Sequence, residues 1–185
     1  MKRMTQSSFS ALLFSAFVLF ALSTQAQDDK SKRPSPPAEV SGTVEGTDIT
    51  INYSRPSVKG RTIFGELEPY GKVWRTGANE ATTIEVSTDV EIEGEPLPAG
   101  KYALFTIPTE DDWTVVFNKT PEQWGAYDYD EAEDALRVEV TPEETDEPTE
   151  QLTFEIGDDG QVTMMWANAA VSFNVASAGQ ASNEQ

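Results

Sequence analysis

Residues 82–107 read TTIEVSTDVEIEGEPLPAGKYALFTI, and this stretch decides the fold class. Ile84 and Val86 alternate with Glu85 and Ser87, and Val90 and Ile92 alternate with Glu91 and Glu93. Successive side chains of a strand point to opposite faces of the sheet, so an apolar residue at every second position marks a strand with one face buried. Residues 102–107, YALFTI, form a continuously apolar run, which suits a central strand covered on both faces. Between the runs, Glu93-Gly94-Glu95-Pro96 and Pro98-Ala99-Gly100 bracket a turn.

Outward from this stretch the same period recurs. It is carried by Ile49, Ile51 and Tyr53 upstream, and downstream by Trp113, Val115 and Phe117, by Leu136, Val138 and Val140, and by Leu152, Phe154 and Ile156. Val162, Met164 and Trp166 repeat it, as do Val171, Phe173 and Val175, and Asp158-Asp159-Gly160 is a hairpin signal between two of the runs. No segment has the period of a long amphipathic helix; single helical turns are expected at 64–67 and 130–135. Short connections and half-buried strands predict antiparallel pairing and two apolar faces that must close on each other. The expected architecture is all-β, an antiparallel β-sandwich or flattened barrel of about nine strands, in one domain over residues 40–175.

The ends read differently. Lys2 and Arg3 precede an apolar run over residues 9–22, and Thr24-Gln25-Ala26 offers small residues where a signal peptidase reads, so residues 1–26 are expected to be a signal peptide cleaved after Ala26. The product would be periplasmic or secreted, with no membrane contact after cleavage. Residues 27–39, QDDKSKRPSPPAE, have the composition of a flexible linker, and residues 176–185 that of a disordered tail. Loss of Lys2 and Arg3 leaves 11 basic against 32 acidic residues, a balance of -21, which disfavours nucleic acid as a partner. The chain has no Cys, so no disulfide holds the exported domain together.

Residues 52–82, NYSRPSVKGRTIFGELEPYGKVWRTGANEAT, break both the strand pattern and the charge pattern. Five of the thirteen basic residues fall here (Arg55, Lys59, Arg61, Lys72, Arg75) against three acids (Glu66, Glu68, Glu80), in a chain of formal charge -19. Residues 54–72 lack any period over a length that exceeds the ~12–15 residues at which structureless loops become uncommon. Val58, Ile63, Phe64, Leu67 and Tyr70 give the loop apolar anchors, so it is expected to be ordered, as a lid or a pocket wall.

The strings YSRPSVKGRTIFGELEPYGKVWRTGANEATTI, LPAGKYALFTIP, WTVVFNK, QWGAYDYD and LRVEV resemble those of a bacterial family of exported proteins, DUF2911, over residues 40–175. The resemblance implies an exported, single-domain, mainly β protein with no established activity and no assigned catalytic residues.

The absence of His and Cys excludes Ser-His-Asp triads, thiol nucleophiles, histidine-ligated zinc and c-type haem attachment. No cofactor and no metal site is expected. Asp128, Asp130, Asp134 and Glu139 match some calcium-loop spacings, but Ala132 and Glu133 stand where that loop wants a ligand and a glycine, so a solvated acidic turn is the plainer reading. Arg presents a planar fork that fits carboxylate, sulfate or phosphate, and an aromatic face stacks on a sugar ring. The expected function is therefore a binding module for an anionic small molecule or saccharide. Its site would be Arg55, Lys59, Arg61, Tyr70, Trp74, Arg75, Asn79 and Glu80, facing Trp124 and Tyr127 of the QWGAYDYD segment. The competing structural reading pairs the arginines with Glu66, Glu68 and Glu80 or with the acids of residues 127–134. Two functional alternatives stand beside it: a hydrolase or lyase using Glu80 as acid or base, with Arg75 or Lys72 as its simpler counter-ion, and a structural envelope protein.

Overall fold

The computed structural model describes residues 29–178; the expected signal peptide lies outside them, as does the tail beyond Ala178. Ten strands among the described residues form two antiparallel sheets, six-stranded in the order β1-β2-β3-β6-β7-β8 and four-stranded in the order β5-β4-β10-β9. The sheets pack face to face and do not close into a barrel. The six-stranded sheet comprises β1 (Pro37–Val44), β2 (Thr47–Ser54), β3 (Thr82–Val86), β6 (Gly100–Ile107), β7 (Trp113–Asn118) and β8 (Asp134–Val140). The other comprises β4 (Val90–Ile92), β5 (Glu95–Leu97), β9 (Glu143–Ile156) and β10 (Gln161–Ser177).

The alternating residues build the core. Ile49, Ile51, Ile84, Leu104, Val115 and Phe117 of one sheet meet Leu152, Phe154, Met164, Trp166, Val171 and Phe173 of the other, all buried. Strand β6, between β3 and β7, is covered on both faces. Tyr102 and Leu104 point into the sandwich, whereas Ala103 and Phe105 join Ala81 and Val116 in a second apolar cluster on the outer face, roofed by Ala126 and Tyr129. The QWGAYDYD segment is that roof. Its end is fixed by Asp134, whose carboxylate accepts from Asn118 Nδ2 at 2.8 Å, Tyr129 Oη at 2.7 Å and Arg137 Nε at 2.7 Å.

Several boundaries differ from expectation for physical reasons. Residues 161–177 are one bent strand, not two, with register irregularities at Met165–Ala167 and Ala167–Ala169 and a positive φ of 53° at Ala167. Strand β9 starts at Glu143, ahead of the apolar alternation at Leu152, because residues 143–151 are exposed or half-buried and carry acids where the period would place apolar residues. Strand β5 occupies Glu95–Leu97, inside the expected turn. A 3-10 turn forms at Glu131–Glu133 as expected, whereas residues 64–67 form no helix. The expected linker is structured over its described part: Lys30–Lys32 form a 3-10 turn capped by Asp29, and the stretch enters β1 at Pro37, where Pro37 pairs with Ser54 and Ala38 with Tyr53. Ala176 and Ser177, expected in the tail, still pair with β4.

Candidate functional site

The basic loop is ordered, and it straps one end of the sandwich. Leaving β2, it pairs with the edge of β9: Val58 N donates to Glu150 O at 2.8 Å and Leu152 N to Pro56 O at 3.0 Å. It then crosses to β6, where Trp74 N and Thr106 O bond at 2.8 Å and Thr106 N and Trp74 O at 2.9 Å. Between these fixed points it plugs the sandwich with rings. Phe64 lies 4.7 Å from Trp113, and Trp74 stacks on Trp166 at 5.6 Å with 19° between the planes. Ile63 is buried beside them.

This placement divides the expected site residues. Arg55 is spent inside the fold, donating from Nε to Leu152 O at 2.9 Å and from Nη2 to Thr153 Oγ1 at 2.7 Å, which ties the strap to β9. Arg61 donates from Nε to Val58 O at 3.0 Å and from Nη2 to Ser57 O, closing its own turn. Neither guanidinium meets a carboxylate among the described residues: Arg55 is taken up by the Leu152 carbonyl and the Thr153 hydroxyl of β9, and Arg61 by carbonyls of its own turn. Trp74, expected as a stacking surface, is 3% exposed and belongs to the core; its Nε1 donates to Gly77 O at 3.2 Å. Lys59 is exposed, and its ammonium has no partner among the described residues. Asn79 is a clamp, with φ of 61° and Nδ2 donating to Ser35 O at 3.0 Å.

Glu80 has partners from a segment that the sequence reading set aside. Lys30 Nζ stands 2.9 Å from Oε1, and Arg33 Nη1 bonds both oxygens at 3.1 and 3.0 Å; neither Arg75 nor Lys72 pairs with it. Partial burial would raise its pKa, but the bonds from Lys30 and Arg33 outweigh that and hold it at about 2. A carboxylate so held is a poor base and keeps no proton to give near neutrality.

Arg75 differs from the other two arginines. Its Nε is buried without a hydrogen-bond partner, and its guanidinium pairs with no carboxylate among the described residues. It lies against the outer-face roof, where a β-carbon at Gly125 would stand 3.3 Å from Arg75 Nη1 and 3.1 Å from Tyr127 Cε2. Glu68, one of the acids with which the arginines were expected to pair, feels its charge, although no ion pair forms between them among the described residues. Burial raises the Glu68 carboxyl to about 7, and the positive charges of Arg75 and Arg61 offset that only in part. The signal that points to it is an acid set between Leu67 and Pro69 in a loop full of apolar anchors.

The folded state holds a proton on Glu68 between its unfolded value of 4.5 and about 7, so its contribution favours folding at low pH and is lost as pH rises through that window. Replacing Glu68 with Gln should therefore raise the melting temperature at pH 8 by a few degrees and change it little at pH 4.5. Melting curves at the two pH values check this, and equal shifts at both would contradict it.

Two concavities of ligand size take up four of the expected residues, Glu80 and Trp124 in one and Arg61 and Tyr70 in the other. One, of about 600 Å³, lies on the outer face of the six-stranded sheet, between the 30–38 segment and the roof. Trp124, 52% exposed, forms one wall, with Glu80 beside it; Asn52, Thr83 and Lys101 supply the polar floor. The Arg33 guanidinium sits 5.9 Å from the Trp124 ring centre. Trp124 is positioned by backbone bonds, Ala81 N to Gln123 O at 3.0 Å and Gly125 N to Asn79 O at 3.1 Å. The other concavity, about 580 Å³, is walled by the strap and includes Arg61 and Tyr70. Tyr127 and Arg75 line neither. No group of three or more His, Cys, Asp or Glu side chains that could hold a metal ion is found among the described residues, and no helix there is long and apolar enough to cross a membrane.

Fold and clefts together define an open two-sheet sandwich domain with a strapped end. The chain belongs to the family DUF2911, described as a protein of unknown function, whose sequence model matches residues 35–175. No curated protein and no solved structure matches it.

Proposed function

We propose that the chain is an exported saccharide-binding protein whose ligand stacks on Trp124 in the outer-face cleft. The observation that carries this reading is the exposure of Trp124: an indole held rigidly by backbone bonds on both sides, yet half open to solvent. A large apolar ring left uncovered beside polar groups is suited to a ring that is apolar on its faces and hydroxylated at its edge. The polar groups fit that edge. Asn52 and Lys101 make no side-chain bond among the described residues, so their donors are open to a ligand.

The charge around the cleft refines the ligand class. Lys30 and Lys101 face Glu80 and Glu122, and Lys30 is neutralised by Glu80. Lys101 is the cation left for a carboxylate, so a saccharide containing uronic acid fits better than a multiply charged anion, which would need the forks of Arg55 and Arg61. The signal-like N-terminus supports an exported protein that meets such polymers outside the cytoplasm.

Affinity electrophoresis through gels containing acidic or neutral polysaccharides tests the proposal. The wild type should be retarded most by the uronate-containing polymer, and Trp124→Ala should weaken retention by about tenfold. The variant should melt within about 2 °C of wild type, since the side chain is half exposed. Equal retention of the two proteins, or no retention of wild type by any polymer, would overturn the proposal.

A further inference from the structure

We infer a second binding site, for an organic ammonium compound with a flat apolar body, in the cleft between the strap and the β9–β10 edge. It is separate from the Trp124 cleft and of similar size, about 580 Å³, within the ~300–1,000 Å³ range of small-molecule sites. Phe64, Tyr70 and Trp113 line it, joined by Ala167 at the bend of β10, where the register slip opens the sheet. Phe64 and Trp113 are locked edge to face at 4.7 Å, so this aromatic wall is preformed.

The rim is anionic. Glu110, Glu143 and Glu144 line the cleft, are exposed, and form no ion pair among the described residues, where the one bond to them is the donation from Asn168 Nδ2 to Glu144 Oε1 at 3.4 Å. The only cation in the lining, Arg61, has already turned its Nε and Nη2 onto the carbonyls of Val58 and Ser57. Three carboxylates against the single guanidinium of Arg61 leave the lining net negative, which complements a cation, since ring faces and carboxylates both attract an ammonium group and one desolvated among rings is held more strongly than one in water.

An independent feature marks the depth of the site. Trp113 is 2% exposed and lines the cleft; its indole N–H donates to no described residue and keeps some contact with solvent, unlike the enclosed indole nitrogen of Trp166. An indole donor of a nearly buried residue ordinarily finds an acceptor. A ligand with an acceptor at the end opposite its ammonium group would supply one. The class is thus an amine, a flat body and a distal oxygen or nitrogen.

Tyramine has these three features, and 3-(4-hydroxyphenyl)propionate has the same body with the opposite charge. Calorimetric titration of the full mature chain at low salt should show sub-millimolar tyramine binding and at least tenfold weaker binding of the propionate. The triple variant Glu110→Gln, Glu143→Gln, Glu144→Gln should lose on the order of tenfold in tyramine affinity. Trp124→Ala should bind tyramine as wild type does, which separates failure of this site from failure of the saccharide site. Tyramine binding that is absent, matched by the propionate, or unchanged in the triple variant would overturn the inference. The isosteric acid decides the matter even if the triple variant does not fold.

Discussion

Trp74→Ala is expected to cost about 3–5 kcal/mol of stability, the range for truncating a large buried aromatic residue. Trp74 is 3% exposed and contributes to a cluster of four rings, stacking on Trp166 at 5.6 Å and meeting Phe64 at 5.9 Å and Trp113 at 6.4 Å edge on. It is also where the strap regains the six-stranded sheet, through the paired bonds with Thr106. Removal leaves a void that Phe64, held by the strap, cannot fill, and leaves the Gly77 carbonyl without its indole donor. Urea denaturation followed by circular dichroism checks this: the midpoint should fall with little change in slope. A loss below about 1 kcal/mol, the ordinary range of a surface substitution, would show that the strap does not close the core.

Gly160→Ala comes next in size. A β-carbon there would stand 2.3 Å from the Val175 carbonyl oxygen and 3.1 Å from Val44 Cγ1, and the residue holds φ of +88°. The backbone is fixed on both sides, with Gly160 N donating to Gly157 O at 3.0 Å and Val175 N to Gly160 O at 2.9 Å, so neither partner can move aside without breaking a bond. Left-handed strain and overpacking together predict a loss of about 2–5 kcal/mol. Gly94→Ala is the matched control: φ is +82° but nothing lies within 4 Å of the new carbon, so only the strain of about 1–2 kcal/mol is expected. Equal losses at the two positions would show that the contact with Val175 is not what constrains the β9–β10 turn.

What the sequence disclosed, and what it withheld, follows from which residues carry a period. Strands with one face on the core were legible in Ile49-x-Ile51-x-Tyr53 and its counterparts, and YALFTI marked the strand with two covered faces. Strand β1 was hidden because it carries Pro37, Ser41 and Gly42 at a sheet edge, where packing demands little of its side chains. The first half of β9 was hidden by its acids and Pro148, which suit an edge that must not pair with another chain. The strap was legible as ordered from Ile63 and Phe64, but not the inward direction of Trp74. Val73 and Arg75 flank it, and that short alternation, once paired with Thr106, turns Trp74 to the core.

The candidate site was legible only in pieces. Composition located Arg55, Arg61 and Arg75 in one loop, but the first two are spent on backbone carbonyls and a hydroxyl while Arg75 buries an unpaired Nε, and no periodicity encodes that division. Glu80 was paired in advance with nearby cations of its own loop; its actual partners, Lys30 and Arg33, lie some fifty residues upstream in a stretch whose composition suggested a tether. Trp124 was offered from the sequence either as a pocket platform or as a core residue, and its 52% exposure places it on the surface.

The central claim is that the strap is architecture and that saccharide is held on the other surface, at Trp124. Mapping amide and indole chemical shifts during titration with an acidic oligosaccharide tests it most directly. The account predicts perturbations at the Trp124 indole N–H and at Asn52, Lys101 and Gln123, with residues 58–70 unmoved. Perturbations confined to residues 58–70, or none at saturating oligosaccharide, would contradict it.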